Sequence, residues 1–193
     1  MAFECDVLTG LVRPAVQLPS PNHDERPIGA APELIVVHCI SLPPGHYGGP
    51  WIDRLFTNRL PPDQHPYFAE IAALEVSAHL LVRRDGSVTQ YVPIHRRAWH
   101  AGQSCYQGRH ACNDFSVGIE LEGTDDSEFE PQQYETLAGL IECLCRSYPS
   151  LSPRRVVGHS DIAPERKTDP GERFEWRRLY ALIDADEAGS RVV

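Results

Sequence analysis

The sequence predicts a single α/β or α+β domain, built on a central mixed β-sheet flanked by helices. Three observations predict it. Short apolar, β-branched runs lead into His38 and His159, a strand–turn–strand pattern surrounds Asp85-Gly86, and a long helical pattern lies between Pro131 and Tyr148. Strands separated both by helices and by a hairpin give a sheet of mixed direction. A chain of 193 residues suits one domain, taken here as 1–193, and is long enough to bury its own core.

In chain order, residues 1–32 read as an irregular lead-in, rich in proline and polar residues over 14–32. Residues 34–37 read as a buried strand ending at His38, followed by the Pro/Gly loop SLPPGHYGGP and a short helix over 51–56. Residues 78–83 and 87–92 form the hairpin. Residues 116–121 read as a strand with Ser116, Gly118 and Glu120 on one face and Val117, Ile119 and Leu121 on the other. The clearest helix covers 131–148, with Tyr134, Leu137, Leu140, Ile141, Leu144 and Tyr148 at helical spacing and Pro131 in the first turn. Val156-Val157 makes a last strand, 176–183 a last helix, and 184–193 a polar frayed tail.

Composition narrows the function. Eighteen Lys and Arg against 27 Asp and Glu give a formal charge of −9, which argues against nucleic-acid and anionic-membrane partners. No apolar stretch reaches the roughly 20 residues of a bilayer span. Glu4 and Asp6 stand where a secretory signal carries basic residues, so the expected location is cytoplasmic. The six cysteines (Cys5, Cys39, Cys105, Cys112, Cys143 and Cys145) form no C-x-x-C pair and read as buried small hydrophobes in a reducing compartment.

Nine histidines are too many to interpret singly, but His38 and His159 each follow an apolar run, where a strand end holds a side chain rigidly. With Asp169, in GHSDIAPERKTDPG, they make a legitimate three-ligand zinc set that leaves a fourth position for water. Their spacing alone is no recognised metal pattern. Glu120 is a carboxylate on an otherwise apolar or small strand, suited to general-base work. Glu122 shares its face by period two, and the pattern does not choose between them. Lys167 lies two residues before Asp169, placed to stabilise an oxyanion. Asp161 reads as a turn or helix cap, Cys112 lacks any local nucleophile motif, and His100 in RAWHAG reads as structural.

The segments VVHCISLPPG, HPYFAEI, SAHLLVRRDG, RAWHAG, CNDFSVGIELEGTD and GHSDIAPERKTDPG, in this order over about residues 19–176, resemble the zinc amidase-2 family of N-acetylmuramoyl-L-alanine amidases, in particular its cytosolic anhydro-muramyl-peptide amidases. The family is similar in fold to peptidoglycan recognition proteins. The resemblance implies zinc held by His38, His159 and Asp169, with Glu120 as general base, Lys167 as oxyanion stabiliser and Tyr67 as an aromatic near the metal. It also implies cleavage of the amide between 1,6-anhydro-N-acetylmuramic acid and L-Ala, in cell-wall recycling and in control of β-lactamase induction. The expected partner is this small muropeptide, met by a monomer. Trp99 is then a candidate to stack on the sugar, and Arg166 to meet the substrate's carboxylates. The family pattern V-V-H-N-I-S has Asn where this chain has Cys39, a position expected near the substrate; a thiol cannot reproduce an amide's donor–acceptor pair. Two other readings are a non-catalytic binding module for peptidoglycan fragments and a periplasmic amidase on intact murein.

Overall fold

The structure, a computed structural model, describes residues 2–189. β1 (Glu4–Asp6) and β2 (Leu11–Arg13) form an antiparallel hairpin, followed by β3 (Val16–Gln17) and β4 (His23–Asp24). β5 (Leu34–Ile40) leads to α1 (Trp51–Phe56) and α2 (Pro66–Ile71). β6 (Leu80–Val82) and β7 (Val88–Gln90) form the hairpin around Asp85-Gly86. The short β8 (Arg97–Ala98), β9 (Cys105–Tyr106) and β10 (Arg109–His110) precede β11 (Ser116–Glu122). α3 (Pro131–Ser147), β12 (Val156–Gly158), α4 (His159–Ile162) and α5 (Trp176–Gly189) complete the order.

Six strands make the central sheet in the order β12-β5-β11-β6-β7-β3. β12, β5, β11 and β6 are mutually parallel, β7 is antiparallel to β6, and β3 is parallel to β7. Strand alternation divides the side chains cleanly. Ile35, Val37, Val117, Ile119, Leu121, Leu80 and Val82 face α3 and α5 in the main core. α3 docks there because Tyr134, Leu137, Ala138, Ile141 and Leu144 recur on one face. Each fully buried Leu or Ile contributes about 1.5–3 kcal/mol. Gln133, buried on the same helix, donates to the carbonyls of Val82 and Glu122, fixing the helix to the ends of β6 and β11. The opposite face carries two smaller apolar clusters, one around Leu81 with α1 and α2, the other around Leu34, Val36 and Phe115. His38 and Glu120 are register partners on that second face.

The lead-in is more ordered than its composition suggests. The β1–β2 hairpin buries Phe3 and Val12 against the main core, the Val12 N–H donates to Gln90 Oε1, and β3 adds to the sheet beside β7. The last helix, expected over 176–183, continues as α5 to Gly189, and residues 190–193 of the expected tail lie outside the described residues. No helix among the described residues is long and apolar enough to cross a membrane.

Candidate active site

The parallel strands direct their carboxyl ends to one edge of the sheet, where open α/β sheets commonly bind ligands. His38 lies in β5, and His159 opens α4 immediately after β12. Asp161 turns the chain there: its Oδ2 accepts from the Gly158 N–H at 2.7 Å, the capping role expected of it. The chain then returns so that the Ser160 N–H donates to the Asp169 carbonyl at 3.0 Å. The result is a convergence of three side chains distant in sequence. His38 Nδ1, His159 Nδ1 and Asp169 Oδ2 stand 3.0 Å from one another, and the group could hold a metal ion. Burial pushes the His38 pKa down to about 4, so the ring is neutral at pH 7, the form that ligates metals.

The two glutamates of β11 part company. Glu120 Oε2 is sealed from solvent and has no hydrogen-bond partner among the described residues. Burial, and after it the charge of Asp169, holds this carboxyl well above the ordinary 4.5, with Lys167 acting in the opposite direction. Glu122 is a fully engaged acceptor. It takes the Gly48 N–H at 2.7 Å, Arg83 Nη1 at 3.2 Å and the Arg84 N–H at 3.3 Å, and so ties the 41–50 loop to the sheet. Glu122→Ala is therefore expected to destabilise the fold by roughly 1–3 kcal/mol, because it leaves the Gly48 and Arg84 N–H groups without their acceptor, while the Arg83 guanidinium keeps Asp53 at 2.9 Å. Chemical denaturation of the variant beside wild type checks this.

Lys167 is exposed, and its charge acts on both His38 and Glu120. Arg166 turns Nη2 onto the carbonyls of Ala101 and Gln103, each at 2.7 Å, and thereby fastens the 101–103 loop beside His159. The Trp99 indole N–H donates to Asp24 at 3.3 Å. Tyr67 lies exposed on α2, and its hydroxyl makes no hydrogen bond among the described residues. Cys112 is buried, and burial raises its thiol pKa.

Cys39, expected near the substrate, has a side-chain partner of its own. Alternation along β5 sends it to the opposite side from His38, where it packs against the main core and its thiol donates to Asp125 Oδ1 at 3.1 Å. Burial, and then Asp125, push that thiol pKa far up. The other Asp125 oxygen accepts from the Thr168 hydroxyl. Gly171, at φ +89°, lies so close that a Cβ there would meet the Asp125 carbonyl oxygen at 2.0 Å. Asp125 thus joins the strand bearing His38 to the loop bearing Asp169. Sequence reasoning missed this residue, whose partners are 86 and 43 positions away. Cys39→Asn keeps a donor for Asp125, so kcat/KM is expected to change less than tenfold, the scale of one hydrogen bond (about 1 kcal/mol). Steady-state kinetics of the variant measures it.

His100, read from RAWHAG as structural, stands with its Nδ1 2.9 Å from His38 Nε2.

A mixed sheet that gathers two imidazoles, a carboxylate and an unpartnered glutamate at one edge has the groups of a hydrolytic enzyme. The profile of the N-acetylmuramoyl-L-alanine amidase family matches residues 28–172, and the chain belongs to that family and is an amidase. It is 59% identical over 169 residues to the 1,6-anhydro-N-acetylmuramyl-L-alanine amidase AmpD of Enterobacter cloacae, covering 88% of this chain and 90% of that one. It superposes on a crystal structure of a selenomethionine AmpD derivative with a TM-score of 0.89 and 55% identity, over 93% of this chain and 98% of the other. The amidase AmiD of Escherichia coli, solved with the substrate anhydro-N-acetylmuramic acid-L-Ala-D-gamma-Glu-L-Lys, matches with a TM-score of 0.57 and 28% identity, over 94% of this chain and 65% of that one.

Proposed function

We propose that the protein is a zinc-dependent amidase that cleaves the bond between 1,6-anhydro-N-acetylmuramic acid and L-Ala of murein stem peptides. The observation that carries the reading is the convergence of His38, His159 and Asp169 beside the unpartnered Glu120 oxygen. Two imidazoles and a carboxylate are a catalytic zinc donor set. Tetrahedral ligands about 2.0–2.1 Å from zinc stand roughly 3.3 Å apart, close to the 3.0 Å separations here. AmpD relatives named for this activity support the substrate, as does AmiD with its bound muropeptide.

His38, His159 and Asp169 would hold the ion, with Nδ1, Nδ1 and Oδ2 as the converging donor atoms. When bound, zinc supplies a Lewis acid that polarises the amide carbonyl and acidifies water near neutral pH. Glu120, its Oε2 uncommitted, accepts the proton of the attacking water and later delivers it to the leaving L-Ala nitrogen. Lys167 places its cation where negative charge develops on the carbonyl oxygen. Arg166 holds the loop beside His159, and Trp99 offers an indole face to the sugar. A cytoplasmic location, a role in cell-wall recycling and removal of muropeptides that induce β-lactamase accompany this reading through the resemblance.

The test is incubation with purified 1,6-anhydro-N-acetylmuramyl tripeptide, following free tripeptide by mass spectrometry. Release that stops on chelation and returns with zinc is expected. No release by zinc-loaded protein overturns the reading and favours a binding module. Release from intact sacculi in preference to the soluble substrate overturns the substrate assignment.

A further inference from the structure

We propose that His100 is a positioning residue that fixes the tautomer of His38, so that Nδ1 faces the metal, and that the His100-Ala101 unit orients both histidine ligands. The inference rests on the zinc reading above. It follows from counting protons along a chain of contacts that begins at a carbonyl.

The Cys112 carbonyl can only accept, so the Ser116 hydroxyl, 2.6 Å away, donates its single proton there. Ser116 Oγ then has only acceptor capacity for His100 Nε2 at 3.0 Å, and the His100 proton sits on Nε2. In a neutral ring this leaves His100 Nδ1 bare. The contact from His100 Nδ1 to His38 Nε2 at 2.9 Å is a hydrogen bond only if His38 carries its proton on Nε2. His38 Nδ1 is then a lone pair pointing at the cluster. The same logic is shorter for His159: its Nε2 faces the Ala101 carbonyl at 3.1 Å and must donate, which bares its Nδ1. Two lone pairs and a carboxylate oxygen therefore meet with no proton among them, an arrangement that calls for a cation.

Both second partners belong to adjacent residues, and that pair is held from several sides. Asn113 Oδ1 accepts from the N–H groups of His100 and Ala101 at 3.2 and 2.8 Å. The His100 ring lies against Gly118, where a Cβ would come within 2.4 Å of its Cγ; a glycine in the middle of β11 leaves room for the ring. Buried Arg26 donates to the carbonyls of Asn113, Asp114 and Ser116 beneath it.

The test compares wild type with His100→Phe, His100→Asn and Ser116→Ala by chelator competition for zinc and by long-range ¹H–¹⁵N histidine spectra of the zinc-loaded protein. His100→Phe keeps the ring shape without the acceptor and is expected to weaken zinc binding about 10–100-fold. His100→Asn offers an amide oxygen near the Nδ1 position and should recover most of that loss. The wild-type spectra should show His38 and His100 protonated at Nε2. If His100→Phe fails to fold, Ser116→Ala and the wild-type spectra decide. Unchanged zinc affinity in a folded His100→Phe, or a His38 ring that is bare at Nε2, overturns the inference while leaving the amidase reading intact. A wild-type protein that binds no zinc overturns both.

Discussion

Glu120→Gln is expected to lower kcat by about 10²–10⁴-fold, the usual contribution of a positioned general base, while zinc binding is retained. The amide occupies the same volume but cannot take a proton from water. Glu120 is not one of the three converging donors, and its Oε2 makes no hydrogen bond among the described residues, so its loss removes chemistry rather than structure. The pH dependence distinguishes this from a general weakening. Burial, then Asp169, raises the Glu120 pKa well above 4.5 in the metal-free protein, and in the zinc-loaded enzyme the acidic limb of kcat/KM reports protonation of this base. Glu120→Gln should lose that limb. The stability of the metal-free protein moves the other way. A folded pKa raised above the unfolded one means that this group's contribution is full below about 4.5 and is lost as pH rises through the folded value. Metal-free Glu120→Gln is therefore expected to melt higher than metal-free wild type at neutral pH, as thermal denaturation with and without chelator will show.

Asp169→Ala is expected to abolish both zinc binding and turnover. The substitution removes a ligand itself, so the loss of affinity should exceed the 10–100-fold typical of a residue behind a ligand. A thermal readout makes the effect visible without substrate. Zinc at 100–1,000 times its Kd stabilises the folded state by about 2.7–4.1 kcal/mol, roughly 5–15 °C in Tm for a chain of this size. Wild type should show that rise and Asp169→Ala should not. His159→Ala should behave alike, since its Nδ1 is 3.0 Å from both other donors.

The legible parts of the molecule are those where a local pattern and a tertiary contact agree. β11 alternates small or acidic residues with Val117, Ile119 and Leu121 because one face meets the α3 side and the other the site. α3 could be read because its apolar stripe is also its docking face. The β1–β2 hairpin could not, since three-residue strands with Val12 as their one fully buried position carry no periodicity. Choosing Glu120 over Glu122 required the resemblance. What separates them physically is Gly48, Arg83 and Arg84, which gather on Glu122 from 74, 39 and 38 positions away. Alternation along β5 turns Cys39 to the face opposite His38, a consequence of period two that the motif alone does not convey. His100 looked ordinary because its meaning lies in two ring contacts, 62 and 16 positions distant.

The central claim is that His38, His159 and Asp169 hold zinc beside Glu120. Anomalous scattering measured across the zinc edge from crystals of the zinc-loaded protein tests it most directly. We predict one strong peak bound by His38 Nδ1, His159 Nδ1 and Asp169 Oδ2, with Glu120 facing it unligated. A peak held through Nε2 of either histidine, with Glu120 as a ligand, or elsewhere in the molecule would contradict the account.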